Sequence, residues 1–201
     1  MNDELEQLLR SLHLRRILEL LPKELADAEK TDIPYTELLL RLLRAQWHHR
    51  QETALSWRIR QAGMPEQWTL ESFPWKKQPG VSQRHVRELG ELEFIRRAEN
   101  IVFIGPTGVG KTGLASGLLL KALQNGHRGL FLRAQDLFDE MYASLADRSS
   151  RKLIDRLARV DLLAVDEMGY LNLKPEQTNI FFKLMEERYR CKATIITINQ
   201  V

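Results

Sequence analysis

Leucines open the chain at helical spacing. Leu5, Leu8, Leu9 and Leu12, then Leu14, Ile17, Leu18 and Leu21, stand at i, i+3, i+4 and i+7, the repeat that lays apolar side chains along one face of an α-helix. Pro22 and the polar run from Lys23 to Asp32 are expected to loosen that helix. Pro34 then opens a second helical pattern with Tyr35, Leu38, Leu39, Leu42 and Leu43, continuing through Trp57 towards Gly63 as its C-terminal cap. Residues 1–63 are therefore expected to form a small helical domain. From 64 to 82 the periodicity lapses while Pro65, Pro74 and Pro79 accumulate, which reads as a linker.

Beyond the linker, residues 83–201 alternate between two periods. Helical spacing returns from Gln83 to Arg97 and gives way to the apolar run Ile101–Ile104. A helix is expected from Lys111 to Asn125, with Leu114, Ala115, Leu118, Leu119, Ala122 and Leu123 on one side. Gly129–Leu132 reads as a strand, Gln135–Leu145 and Arg151–Arg159 as helices, and DLLAVDE, Asp161–Glu167, as a buried strand ending in two carboxylates. A helix then starts at Lys174-Pro175-Glu176, with Arg188, Arg190 and Lys192 placed to suit its C-terminal dipole, and Ala193–Ile198 forms a β-branched strand. Strands alternating with helices predict an α/β fold: a parallel sheet flanked by helices.

Composition narrows the class without deciding it. With 201 residues, 43% hydrophobic and 28% charged, the chain matches an ordinary globular protein of one or two domains. One cysteine, Cys191, excludes an internal disulfide. The start MNDELEQLL lacks a secretory pattern, and no apolar run is long enough to span a membrane, so a cytoplasmic location is expected. Thirty basic against 27 acidic residues permit a polyanion partner and do not demand one.

The chemistry centres on GPTGVGKT: Gly105, Pro106, Thr107, Gly108, Val109, Gly110, Lys111 and Thr112. Set between a strand and a helix, this spacing predicts a phosphate-binding loop, with backbone N–H groups converging on phosphate oxygens at the helix N-terminus. Lys111 would reach the β- and γ-phosphates, and the Thr112 hydroxyl would ligate Mg²⁺. Asp166 and Glu167 point to different sides of a strand tip, so Asp166 is expected to hold Mg²⁺, through water, and Glu167 to orient and deprotonate an attacking water. Asn199, at the next strand tip, is expected to bond that water or the γ-phosphate. Two basic stripes, Arg41/Arg44/His48 with nearby Trp47 and Trp57, and Lys152/Arg156/Arg159, read either as nucleic-acid surfaces or as solvated faces.

TLESFPW (Thr69–Trp75), NIVFIGPTGVGKTGLA (Asn100–Ala115), DLLAVDEMGYLNL (Asp161–Leu173) and ERYRCKATIITIN (Glu187–Asn199) together resemble the IstB family, transposition helper ATPases related to the helicase loader DnaC. The resemblance spans nearly the whole chain and implies a P-loop NTPase of AAA+ type. It makes Lys111 and Thr112 the Walker A residues, Asp166 and Glu167 the Walker B pair, and Asn199 sensor 1. It further implies ATP and Mg²⁺ as ligands, and a nucleotide-dependent homo-oligomer on double-stranded DNA that recruits or regulates a partner transposase. The N-terminal helices would make the transposase or DNA contact, and Thr69–Phe73 would lie near adenine.

Thr107 stands where the family often has a second proline, and Ile198 where it usually has a small hydroxyl residue. In AAA+ proteins strand 1 lies beside strand 4, with a further strand, an arginine finger and a helical lid after sensor 1. The sequence stops at Val201, so those parts are expected to be missing, through truncation or as a natural short form, and turnover is expected to be weak or absent. A DnaC-type loader with a replicative helicase as partner, a phosphoryl-transfer kinase, and a non-hydrolysing remnant of a mobile-element ATPase remain open as alternatives.

Overall fold

The computed structural model describes residues 3–65, 68–169, 171 and 173–200. Its two compact units divide between Trp57 and Arg58. In the first, α1 (Asp3–Ser11), α2 (Arg15–Thr31) and the start of α3 (Tyr35–Gln61) bury Leu9, Ile17, Leu21 and Leu42 against one another. The break in the leucine pattern falls at His13, in the left-handed region at φ 56°, and not at Pro22, which sits inside α2. Proline removes one backbone donor there, but the Glu, Leu, Ala and Lys residues after it are strong helix formers and carry the helix on to Thr31. Leu14, at the N-cap of α2, provides no side-chain cap. Gln46 of α3 replaces it: buried, its Oε1 accepts from the backbone N–H groups of Arg16 at 3.1 Å and Ile17 at 3.4 Å. Trp47 and Trp57 are both exposed.

The second unit begins at Arg58, before the boundary expected after residue 63, because the last turn of α3 is tied to α6 (Lys111–Gln124) and β2 (Gly129–Arg133). Arg58 Nε donates to the Leu123 carbonyl at 3.0 Å, and the Phe131 N–H donates to the Ala62 carbonyl at 2.7 Å. The proline-rich segment expected as a linker carries a short 3-10 turn, Trp75–Lys77, and buries Leu70 and Phe73. Leu70 lies so close to Gly117 that a Cβ there would come within 2.8 Å of its Cδ2. The expected Gln83–Arg97 helix is two, α4 (Gln83–Leu89) and α5 (Glu93–Arg96), parted at Leu92 with φ 63°.

β1 (Ile101–Gly105), β2, β3 (Leu162–Asp166) and β4 (Ala193–Asn199) form a parallel sheet in the order β1-β4-β3-β2. The predicted crossover helix is α6, and α7 (Ala134–Ala146), α8 (Ser150–Ala158) and α9 (Pro175–Arg188) come after it. All five residues of β3 are buried. Leu163 and Val165 join a core built with α7, α8 and α9, and strand alternation turns Leu162 and Ala164 to the other face, where α6 lies. Among the described residues β1 pairs only with β4, and its Val102 and Ile104 are exposed.

Arg188, in the last turn of α9 as expected, does more than complement the helix dipole. It is buried, donating from Nε to Thr194 Oγ1 at 3.1 Å and from its Nη atoms to the carbonyls of Leu157, Val160 and Ala193. The guanidinium thus clips the end of α9 to the turns that feed β3 and β4. Among the described residues no helix is long and apolar enough to cross a membrane.

Candidate nucleotide-binding site

The strand order brings four strand tips and one helix N-terminus together. Gly105 ends β1 in register with Asn199 at the end of β4, and the Gln200 N–H donates to the Gly105 carbonyl at 3.1 Å. Between β1 and α6 the chain turns through Gly108 at φ 84° and Gly110 at φ 91°, conformations that a side chain disfavours. Gly110 is doubly constrained, since a Cβ there would come within 2.7 Å of the Phe73 ring. No side chain caps α6 at Gly110, which leaves the first backbone N–H groups of a 14-residue helix as anion donors. Lys111 is buried, and its Nζ donates to the carbonyls of Gly105 at 2.9 Å and Pro106 at 2.7 Å. Val109 fills the inside of the turn, with Cγ2 at 3.5 Å from the Cβ position of Gly105.

Asp166 and Glu167 separate as the strand pattern requires. Asp166 is buried, and the Thr112 hydroxyl donates to its carboxylate, 2.9 Å from one oxygen and 3.1 Å from the other. Thr197 Oγ1 donates to Asp166 as well and accepts the Glu167 N–H at 2.9 Å. Glu167 is exposed and stands at φ 61°, so its side chain leaves the strand direction where Asp166 remains inside.

A cavity of about 570 Å³ joins these parts. The loop contributes Thr107, Gly108, Gly110, Lys111 and Thr112, the strand tips Arg133, Glu167 and Asn199, and the segment before the sheet Trp68, Phe73 and Gln78. Phe73 and Trp75 pack against each other with ring centroids 4.6 Å apart and planes tilted by 55°. Every residue expected to carry the chemistry therefore belongs to one locality: Lys111, Thr112, Glu167 and Asn199 line the cavity, and Asp166 lies behind Thr112. Thr197, Arg133 and Trp68 were not foreseen. Thr197 had a legible signal, because it lies two positions before Asn199 and strand alternation puts both on one face. The same alternation turns Ile198 away, so the hydroxyl at this tip comes from Thr197.

The Thr112–Asp166 pair fits Mg²⁺, a hard cation that takes few protein oxygens and keeps water and phosphate ligands. Among the described residues no cluster of three or more His, Cys, Asp or Glu side chains is placed to hold a metal.

Residues 7–201 match the family model described as IstB-like ATP binding protein. The chain is 35% identical over 197 residues to a protein described as the ATP-binding protein of insertion sequence IS21 in Pseudomonas aeruginosa, covering 98% of this chain and 74% of the relative. It is 32% identical over 200 residues to the corresponding IS5376 protein of Geobacillus stearothermophilus, covering 100% of this chain and 80% of the relative. Among solved structures, the DnaC helicase loader is similar at 25% identity and a TM-score of 0.55, over 66% of this chain and 77% of that one.

Proposed function

Since the chain belongs to the family of IstB-like ATP binding proteins, we propose that it binds ATP with Mg²⁺ in the 570 Å³ cavity, hydrolyses it, and assembles with it on duplex DNA to recruit or regulate a transposase. One observation carries the nucleotide part: a glycine loop at a helix N-terminus delivers Lys111 and a Thr112–Asp166 pair into a cavity that also holds aromatic side chains. Phosphates fit the first and a purine ring the second.

The chemistry derives from where these groups stand. The loop N–H groups and Lys111 neutralise the phosphates, and Thr112 and Asp166 would hold Mg²⁺, which supplies further charge at the β- and γ-oxygens when bound. Glu167 accepts a proton from water as the water oxygen bonds to the terminal phosphorus and the bond to the bridging oxygen breaks. Asn199, sharing the cavity wall with Glu167, orients that water or the terminal phosphate.

DNA and transposase contact draw support from the first unit. Tyr35, Leu39, Leu43 and Trp47 are all exposed, and their i, i+4 spacing forms an apolar stripe on α3 beside the exposed Arg44 and His48. An exposed apolar stripe of this kind marks a protein-binding face, and the basic side chains suit a polyanion. A replicative helicase as partner is the second reading, favoured by the likeness to the DnaC helicase loader. Pull-down of purified transposase and helicase separates the two, and capture of the helicase alone would reverse the choice.

The nucleotide reading is tested by titrating tryptophan fluorescence with ATP and Mg²⁺, Trp68 lying in the cavity wall. Lys111→Ala abolishes the response, while Glu167→Gln keeps binding and lowers phosphate release about 100-fold or more. A wild-type chain indifferent to millimolar ATP would refute it.

A further inference from the structure

The cavity contains a cation to which the proposed hydrolysis gives no task. Arg133 is the last residue of β2 and the N-cap of α7, with φ −71° and ψ 140°, so two regular elements fix its backbone. It stands in register with Asp166 on the adjoining strand, and its side chain lines the same cavity as Lys111, Thr112 and Glu167.

Three other arginines around the sheet are committed. Arg151 pairs with Asp155 and Glu187, Arg156 with Glu140, and Arg188 with buried carbonyls. Among the described residues the Arg133 side chain makes no hydrogen bond or ion pair. An unpaired arginine on an open surface is ordinary. In the wall of a cavity built around a phosphate loop it adds a planar, permanently charged donor shaped for two phosphate oxygens.

Its position indicates which phosphate. The loop and Lys111 approach from the β1 side, whereas Thr112–Asp166 and Glu167 mark the end where the terminal phosphate and the attacking water meet. β2 is the next strand beyond β3, about 4.8 Å away, within an arginine side chain's reach of that end.

We propose that Arg133 donates paired hydrogen bonds to the terminal phosphate of a bound nucleoside triphosphate, making the site discriminate triphosphate from diphosphate within one chain. The proposal rests on the nucleotide reading above. A diphosphate leaves this donor without an acceptor, so the contact separates the two nucleotides and not the two adenines.

The full chain is titrated with ADP and with the non-hydrolysable β,γ-imido analogue of ATP, both with Mg²⁺, followed by calorimetry. Arg133→Ala is expected to weaken the triphosphate analogue about tenfold or more, as for loss of a charge-assisted hydrogen bond, and to change ADP affinity by less than about twofold. Arg133→Lys, a point charge without the fork, is expected to fall between. Unchanged ADP affinity also certifies the fold of each variant. Equal losses for both nucleotides, or none for either, would overturn the proposal while leaving the nucleotide reading intact. A turnover defect with undiminished triphosphate affinity would overturn it in favour of Arg133 acting on Glu167. Absence of any binding by the wild-type chain would overturn both.

Discussion

The Glu167 backbone N–H donates to Thr197 Oγ1 at 2.9 Å, and the same hydroxyl donates to the Asp166 carboxylate. One side chain of β4 therefore sets both acidic residues at the end of β3: it helps to hold Asp166 inside and fixes the backbone at which Glu167 turns outward. Thr197→Val keeps the shape and removes both bonds. A loss of about 1–3 kcal/mol in stability is expected from a buried carboxylate and N–H left short of partners, together with weaker Mg²⁺-dependent ATP affinity. Thr197→Ser retains most of both. Denaturant midpoints and nucleotide titrations of the two variants check this.

Gly110 meets two independent demands, φ 91° and 2.7 Å clearance beneath Phe73. Gly110→Ala is expected to lose nucleotide binding. The double variant Gly110→Ala/Phe73→Ala removes the steric contact but retains about 1–2 kcal/mol of left-handed strain, so binding recovers only in part. Full recovery would show that the dihedral angle is immaterial.

Arg188 has a structural task that can be separated from the chemistry. Burial pulls its guanidinium down to about 10, opposed by the attraction of Asp161, so it stays charged at neutral pH. Arg188→Lys keeps the charge but cannot reach the carbonyls of Leu157, Val160 and Ala193 together. A stability loss of about 2–4 kcal/mol is expected, with ATP affinity unchanged at temperatures where the variant is folded. Thermal melts beside nucleotide titrations distinguish this from a role at the site.

Asp161 predicts an acid limb to the stability profile. Partial burial pushes its pKa up, but the hydrogen bonds from Lys192 and the Arg128 N–H, and both side-chain charges, outweigh it and hold the carboxyl below its ordinary 3.8. The folded state thus binds this proton less readily than the unfolded state. The resulting stabilisation is fully present above the ordinary value and is lost as pH falls through the lower folded-state value. Asp161→Asn is expected to cost about 1 kcal/mol at pH 7 and to flatten the decline below pH 4. Urea midpoints at pH 7 and pH 3 measure both effects.

The strands, the helices of the sheet domain and the phosphate loop were legible because periodicity and glycine spacing are local properties. Asp166, Glu167 and Asn199 were legible because strand tips in parallel sheets share one edge of the fold. What escaped depends on partners distant in sequence. Arg188 resembles a dipole cation until the carbonyls of Leu157 and Val160 are brought to it. Leu70 and Phe73 look like linker residues until Gly110 and Gly117 open space for them. Pro22 resembles a helix breaker, yet the helix formers after it outweigh one missing donor. Thr197 was overshadowed by Ile198, although the two-residue period of a strand puts the former beside Asn199.

The contacts of Lys111 have a consequence for how tightly the loop holds any anion. Its ammonium already donates to the Gly105 and Pro106 carbonyls, so phosphate binding is an exchange in which the loop's own oxygens compete for the cation. The measured affinity is a difference between two solvation shells, one made of backbone and one of ligand. A change that weakens the internal shell, such as a shift in the turn at Pro106, would tighten phosphate binding without touching the phosphate.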